Sequence, residues 1–118
     1  MGSPVMKDQR RTAQSVIVIL PDEIDVVNAE SVYEQLNSAF VPGVAVVVAD
    51  MTSTSFCDSS GFGLITLAHQ HATALHGQLR LAIPPGDVRR ILQLLGLDQV
   101  LLVYPTLKAA LADHSHSA

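Results

Sequence analysis

The sequence predicts an α/β domain, a mixed and largely parallel sheet of four to five strands packed with about four helices. Three observations carry the prediction. Strand and helix patterns alternate along the chain, an order that favours parallel strands joined by crossover helices. The run Val44–Ala49 is apolar throughout, as in a strand covered by helices on both faces. Gly or Pro marks most of the boundaries between the periodic segments.

The elements follow in order. Residues 1–14 are expected to be a flexible arm or an edge strand, with a cloning remnant at 1–4. Ser15 to Leu20 is β-branched and closed by Pro21, the pattern of a strand. Asp22 to Asp25 makes an acidic turn. From about Val27 to Phe40, the residues Val32, Leu36, Ala39 and Phe40 recur at helical spacing, with Asn28 or Asp25 as cap and Pro42-Gly43 as stop. The buried strand Val44–Ala49 is followed by a polar loop from Asp50. A second helix runs from about Ser60 to His76, with Gly77 as its C-terminal cap. Leu79 to Ile83 is a strand, and Val88 to Leu95 a helix ended by Gly96. Val100 to Val103 is the last strand. Pro105 opens a short helix, Thr106 to Ala112, within a single domain spanning 15–112. Residues 113–118 are a polar tail.

Composition narrows the function. A chain of 118 residues with 48% hydrophobic content holds one domain with a real core. Aromatics are only 4%, so that core is aliphatic. Seven Lys plus Arg stand against eleven Asp plus Glu, a net charge of −4. This balance argues against nucleic acid and against anionic membrane surfaces as partners. The single cysteine, Cys57, excludes an internal disulfide, and no signal peptide or membrane-spanning run is visible. A cytoplasmic protein is the natural reading.

The chemical focus is Phe56-Cys57-Asp58-Ser59-Ser60-Gly61. Asp and Ser accept hydrogen bonds from the free amides of a helix's first turn, so the simplest reading is a cap. The functional reading adds that Ser59 stands exposed at the carboxyl edge of the sheet, at the positive end of a helix. Phosphate suits that position as ligand or substituent. Gly61 and Gly63 weaken the helix by about 1 kcal/mol each, which suggests close approach of another backbone or a flexing junction. Phe62 between them is either a core residue or an interface anchor, and the flanking glycines favour a partly exposed anchor. Ser59 as a nucleophile lacks a base: His69, His71 and His76 lie well down the same helix. These histidines, and His114 and His116 in the tail, form no metal-ligand set and read as solvated. Cys57 reads as a small apolar residue, a redox role requiring exposure and a lowered pKa. Arg89 and Arg90 read as the wet face of the third helix, or as contacts for an acidic partner.

These residues resemble the STAS-domain anti-sigma factor antagonist family over about Ser15 to Leu111. The resemblance covers Asp22-Glu23-Ile24-Asp25, the buried strand, Phe56 to Gly63 with its Asp-Ser-Ser-Gly core, and Val88 to Leu97. It implies the STAS fold and a partner switch without catalysis or cofactor. The unphosphorylated form binds an anti-sigma factor that is also a serine kinase, and the sigma factor is released. ATP-dependent phosphorylation of the serine after the motif's Asp, here Ser59, ends the binding, and a serine phosphatase resets it. The family's acidic-turn Asp matches Asp25. The partner surface is then expected to comprise Asp22, Glu23, Asp25, Asp58, Ser59, Ser60, Gly61 and Phe62, with no metal.

A phosphoserine adds about −1.5 to −2 charges. At about 6 Å and an effective dielectric near 20, each nearby carboxylate repels a unit charge by roughly 3 kcal/mol before screening. Water solvates the phosphate on the free protein, whereas a docked interface would bury it, so local charge alone can switch binding. One residue departs from the family pattern: Asp22 stands where a glycine is usual. The alternatives are an unphosphorylated STAS scaffold or small-molecule sensor, and a small serine hydrolase, which the missing base disfavours.

Overall fold

A computed structural model of the protein describes residues 15–113. The arm at 1–14 and the tail after Asp113 lie outside the described residues. The elements are β1 (Ser15–Ile19), β2 (Glu23–Ile24), α1 (Ala29–Ser38), β3 (Val46–Asp50), β4 (Phe56–Cys57), α2 (Ser59–Ala74), β5 (Gln78–Ala82), α3 (Asp87–Leu94), a 3-10 turn (Leu97–Gln99), β6 (Leu102–Tyr104) and α4 (Leu107–Ala112). β1, β3, β5 and β6 form one sheet in that order, every pair parallel. The predicted α/β class and strand alternation hold.

The two faces of the sheet are unequal. Val47 and Ala49 of β3 and Leu79 and Leu81 of β5 point to the main core, where they meet Val32 and Leu36 of α1, Phe62, Ile65 and Ala68 of α2, and Leu92 of α3. The alternate residues Val46, Val48 and Ala82 point the other way, against Leu107 and Ala110 of α4. Both sets of β3 side chains are therefore buried, which is why the run lacks polar alternation.

Several boundaries differ from the expectation. β3 begins at Val46; Val44 and Ala45, after the turn at Pro42-Gly43, lie outside the strand. α1 begins at Ala29, leaving Val26 and Val27 outside it and exposed. Asn28 sits at its cap position but makes no cap bond; its side chain instead binds the acidic turn. α2 ends at Ala74, and the positive φ of the exit falls on His76 (63°) rather than on Gly77. Gly77 is needed for contact: a Cβ there would lie 2.9 Å from the Ala45 carbonyl oxygen and from the Phe40 ring. The last strand starts at Leu102, since the 3-10 turn uses the residues before Val100. Pro105 stays outside α4, which Thr106 caps by accepting the Ala109 N–H at 3.0 Å.

The polar side chains also hold two surprises. Arg80, a charged residue within β5, is 1% exposed beneath α4. His69 is partly buried rather than solvated, and its Nδ1 is buried without a hydrogen bond.

Candidate functional site

The site is built by two strands too short for any periodic pattern. β2 and β4 pair in parallel, Glu23 beside Phe56 and Ile24 beside Cys57. The pairing is locked at both ends. The Asp22 carbonyl accepts the N–H groups of Ser55 and Phe56, and the Ile24 carbonyl accepts that of Asp58 at 3.1 Å. The Thr54 hydroxyl donates to the Pro21 carbonyl, and the Ser55 hydroxyl to Asp22 Oδ1 at 2.6 Å. The residues following the two strands are Asp25 and Asp58, so the acidic turn and the serine loop meet at the carboxyl ends of one small sheet.

Each loop is held by local bonds. Asp25 Oδ1 accepts the Val27 N–H at 2.9 Å, and its carbonyl accepts from Asn28 and Ala29. The Asn28 amide bridges this turn by accepting from the Asp25 N–H and donating to the Glu23 carbonyl. Asp58 caps α2, its side chain accepting the Gly61 N–H at 3.0 Å and its carbonyl the Phe62 N–H. Ser59 is the first helical residue and is exposed; Ser60 is partly buried. The cap reading is therefore true of Asp58, and Ser59 is left outside the capping bonds. Asp22 and Glu23 are exposed, Asp25 and Asp58 partly so.

Two expected contact residues are buried instead. Phe62 is 1% exposed and belongs to the core, so it cannot meet a partner. Gly61 is buried beneath it in the first turn. A Cβ at Gly61 would lie 2.6 Å from Ile24 Cγ2 and 2.7 Å from Cys57 Sγ, so this glycine lets α2 seat directly on β2 and β4. The close approach is to side chains, not to another backbone. Gly61→Ala is expected to destabilise by about 1–3 kcal/mol despite alanine's better helix propensity, because neither buried neighbour has room to withdraw. Thermal unfolding measures this, and an unchanged or higher Tm would contradict the packing.

Cys57 is buried, and its pKa is pushed up to about 12, first by burial and second by the neighbouring Asp58 carboxylate. The thiol stays protonated at neutral pH and lacks the thiolate that redox sensing requires. The nearest α2 histidine, His69, is ten residues beyond Ser59, roughly 15 Å along the axis. Among the described residues no histidine stands beside the serine to activate it. Arg89 reaches inward to the Ile83 carbonyl at 3.0 Å, and Arg90 pairs with Asp87.

Two grooves lie near this loop, one lined by Ser59 and the other by Asp58. A groove of about 500 Å³ between α1 and α2 is lined by Val26, Ala29, Glu30, Ser59, Gly63 and Leu67, among others. Val26 is 75% exposed and Leu67 47%. A second groove of about 420 Å³ lies between β4 and α3, lined by Phe56, Asp58 and Ile91 among others. Phe56, not Phe62, is the aromatic residue on the surface, at 49% exposure. Strand alternation could have shown this: Cys57 points in, so Phe56 points out.

The STAS domain family matches residues 4–110. An anti-sigma F factor antagonist of Lysinibacillus sphaericus is 29% identical over 87 residues, 73% of this chain and 74% of that protein. The crystal structure of an anti-sigma factor antagonist from Mycobacterium paratuberculosis has the same fold, with a TM-score of 0.73, 24% identity and coverage of 83% of both chains. The Bacillus cell-fate determinant SpoIIAA in its phosphorylated form gives a TM-score of 0.60 at 26% identity, over 83% of this chain and 88% of that one. The family match spans nearly all the described elements, including the strand pair that joins the acidic turn to the serine loop, and this chain belongs to the STAS domain family.

Proposed function

We propose that this protein is a cytoplasmic anti-sigma factor antagonist, switched off by phosphorylation of Ser59 and without catalysis of its own. The observation that carries the reading is the placement of Ser59: exposed, first in α2, and beside the junction of two acidic loops. The unphosphorylated form binds an anti-sigma factor with serine kinase activity. Transfer of the γ-phosphoryl group of ATP to Ser59 Oγ releases ADP and the hydroxyl proton, and leaves a dianion at the interface. On the free protein, water and the α2 N-terminus stabilise that charge. In the complex, Asp58 and Asp25 repel it and burial removes its water, so the partner dissociates. A serine phosphatase returns the hydroxyl.

The substitution of Asp22 for the family glycine is compatible with this role. Among the described non-glycine residues only His76 has a positive φ, so the turn at Asp22 needs no glycine. Its side chain ties the serine loop to the acidic turn through Ser55.

The test is incubation with a kinase-type anti-sigma factor and ATP, followed by intact mass. Wild type is expected to gain one phosphate, Ser60→Ala to gain it equally, and Ser59→Ala to gain none. Ser59→Asp is expected to bind the anti-sigma factor at least about tenfold more weakly, a cost of about 1.4 kcal/mol. Tight binding by Ser59→Asp would contradict the charge mechanism, and absence of transfer from every such kinase in the genome would sink the phosphorylation switch.

A further inference from the structure

We infer that Gly63 is a specificity-determining residue, the open floor of a groove that seats an aliphatic side chain of the anti-sigma factor. This rests on the function proposed above. Gly63 is exposed inside α2, where glycine weakens a helix, yet the fold makes no demand for it. A Cβ at Gly61 would collide with Ile24 and Cys57, whereas a Cβ at Gly63 would meet nothing within 4 Å. Its φ is not positive. The missing side chain therefore serves something outside the chain.

The surroundings indicate what that is. Ser59, Gly63 and Leu67 are four residues apart and form one row on the surface of α2. Across from them stand Val26, Ala29 and Glu30. The walls are apolar, so the occupant of the floor is apolar. The charged residue of the groove lining is Glu30, which is exposed, and the lining contains no Lys or Arg. The anti-sigma factor segment that fits is an aliphatic side chain with a Lys or Arg within one turn of it, reaching Glu30. The groove is continuous with Ser59, one turn from the floor, so a phosphate there stands against the seated side chain.

The experiment measures two quantities on each of three variants: thermal unfolding of the free protein and affinity for the unphosphorylated-state anti-sigma factor partner. Gly63→Ala is expected to raise Tm by roughly 3–6 °C and to weaken binding severalfold. Gly63→Leu, folded by circular dichroism, is expected to lose about tenfold or more in affinity by filling the floor. Glu30→Lys is expected to weaken binding with little change in Tm. Wild-type binding with Gly63→Leu equally tight would overturn the groove and leave the antagonist function standing. Failure of wild type to bind any anti-sigma factor would sink that function and the groove with it. A dimer of the free protein that Gly63→Leu dissolves would give the groove to a second copy of this chain and overturn the proposal.

Discussion

Phe62→Ala is expected to destabilise the protein by about 3–5 kcal/mol, the usual cost of deleting a large aromatic side chain from a core that only partly collapses. Phe62 is 1% exposed and is packed in one cluster with Ile24, Leu36, Ile65 and Leu81. The core is otherwise aliphatic and small, so no neighbour can fill the space of a ring. In a domain whose whole stability is on the order of 5–15 kcal/mol, that loss leaves a substantial unfolded fraction at 37 °C. Denaturant unfolding checks it: the midpoint should fall while the slope stays constant. Phe56→Ala is the control. Phe56 is half-exposed beside the second groove, so its removal should change stability by less than about 1 kcal/mol and act instead on partner binding. If Phe62→Ala unfolds at nearly the wild-type midpoint, the ring does not carry the core.

Phe62 also shows which of two sequence signals governs burial. The flanking glycines suggested a surface, but the helical spacing of Phe62, Ile65, Ala68 and Ala72 runs down the buried face of α2. The period was the better signal. The glycines act on different faces, Gly61 against Ile24 and Cys57, Gly63 toward open space. Spacing alone cannot separate those two roles, because the difference lies in what the rest of the chain brings alongside. The buried β3 strand and the helix start at Asp58-Ser59 were legible because each depends on neighbouring residues only. The β2–β4 pair was not: two residues per strand make no pattern, and their pairing joins segments more than thirty residues apart. The resemblance to the family implied that Asp25 lies near the serine, and the strand pair is the physical means by which its loop arrives there.

Arg80→Ala is the second large expected effect, about 3–5 kcal/mol, comparable to breaking a buried charged network. Alternation along β5 puts Leu79 and Leu81 in the main core and Arg80 on the opposite face. That face is covered by α4, a choice of side that local sequence does not encode. α4 has six residues and would not hold a helical form alone. Its apolar anchors on the sheet are only Leu107 and Ala110. Arg80 supplies the rest: Nη1 donates to the carbonyls of Ala110 at 2.7 Å and Asp113 at 2.8 Å, and Nε donates to Gln78 Oε1 at 3.1 Å. The guanidinium carbon lies 5.8 Å from the centre of the Tyr104 ring, whose hydroxyl bonds Asp113 Oδ2. The cation thus caps the free carbonyls at the C-terminal, negative end of α4. Alanine would remove those bonds and leave a cavity beneath the helix. Arg80→Met would keep most of the volume and lose only the bonds, so a smaller loss of about 1–3 kcal/mol is expected. Hydrogen exchange locates the effect. The Ala110 amide, bonded to the Thr106 carbonyl, should lose protection in both variants, while amides of the first turn of α2 should keep theirs, because the serine loop sits with the main core and away from α4. Equal loss of protection at both places would mean that α4 and the partner site form one cooperative unit; unchanged protection at Ala110 would mean that α4 holds without its buried cation.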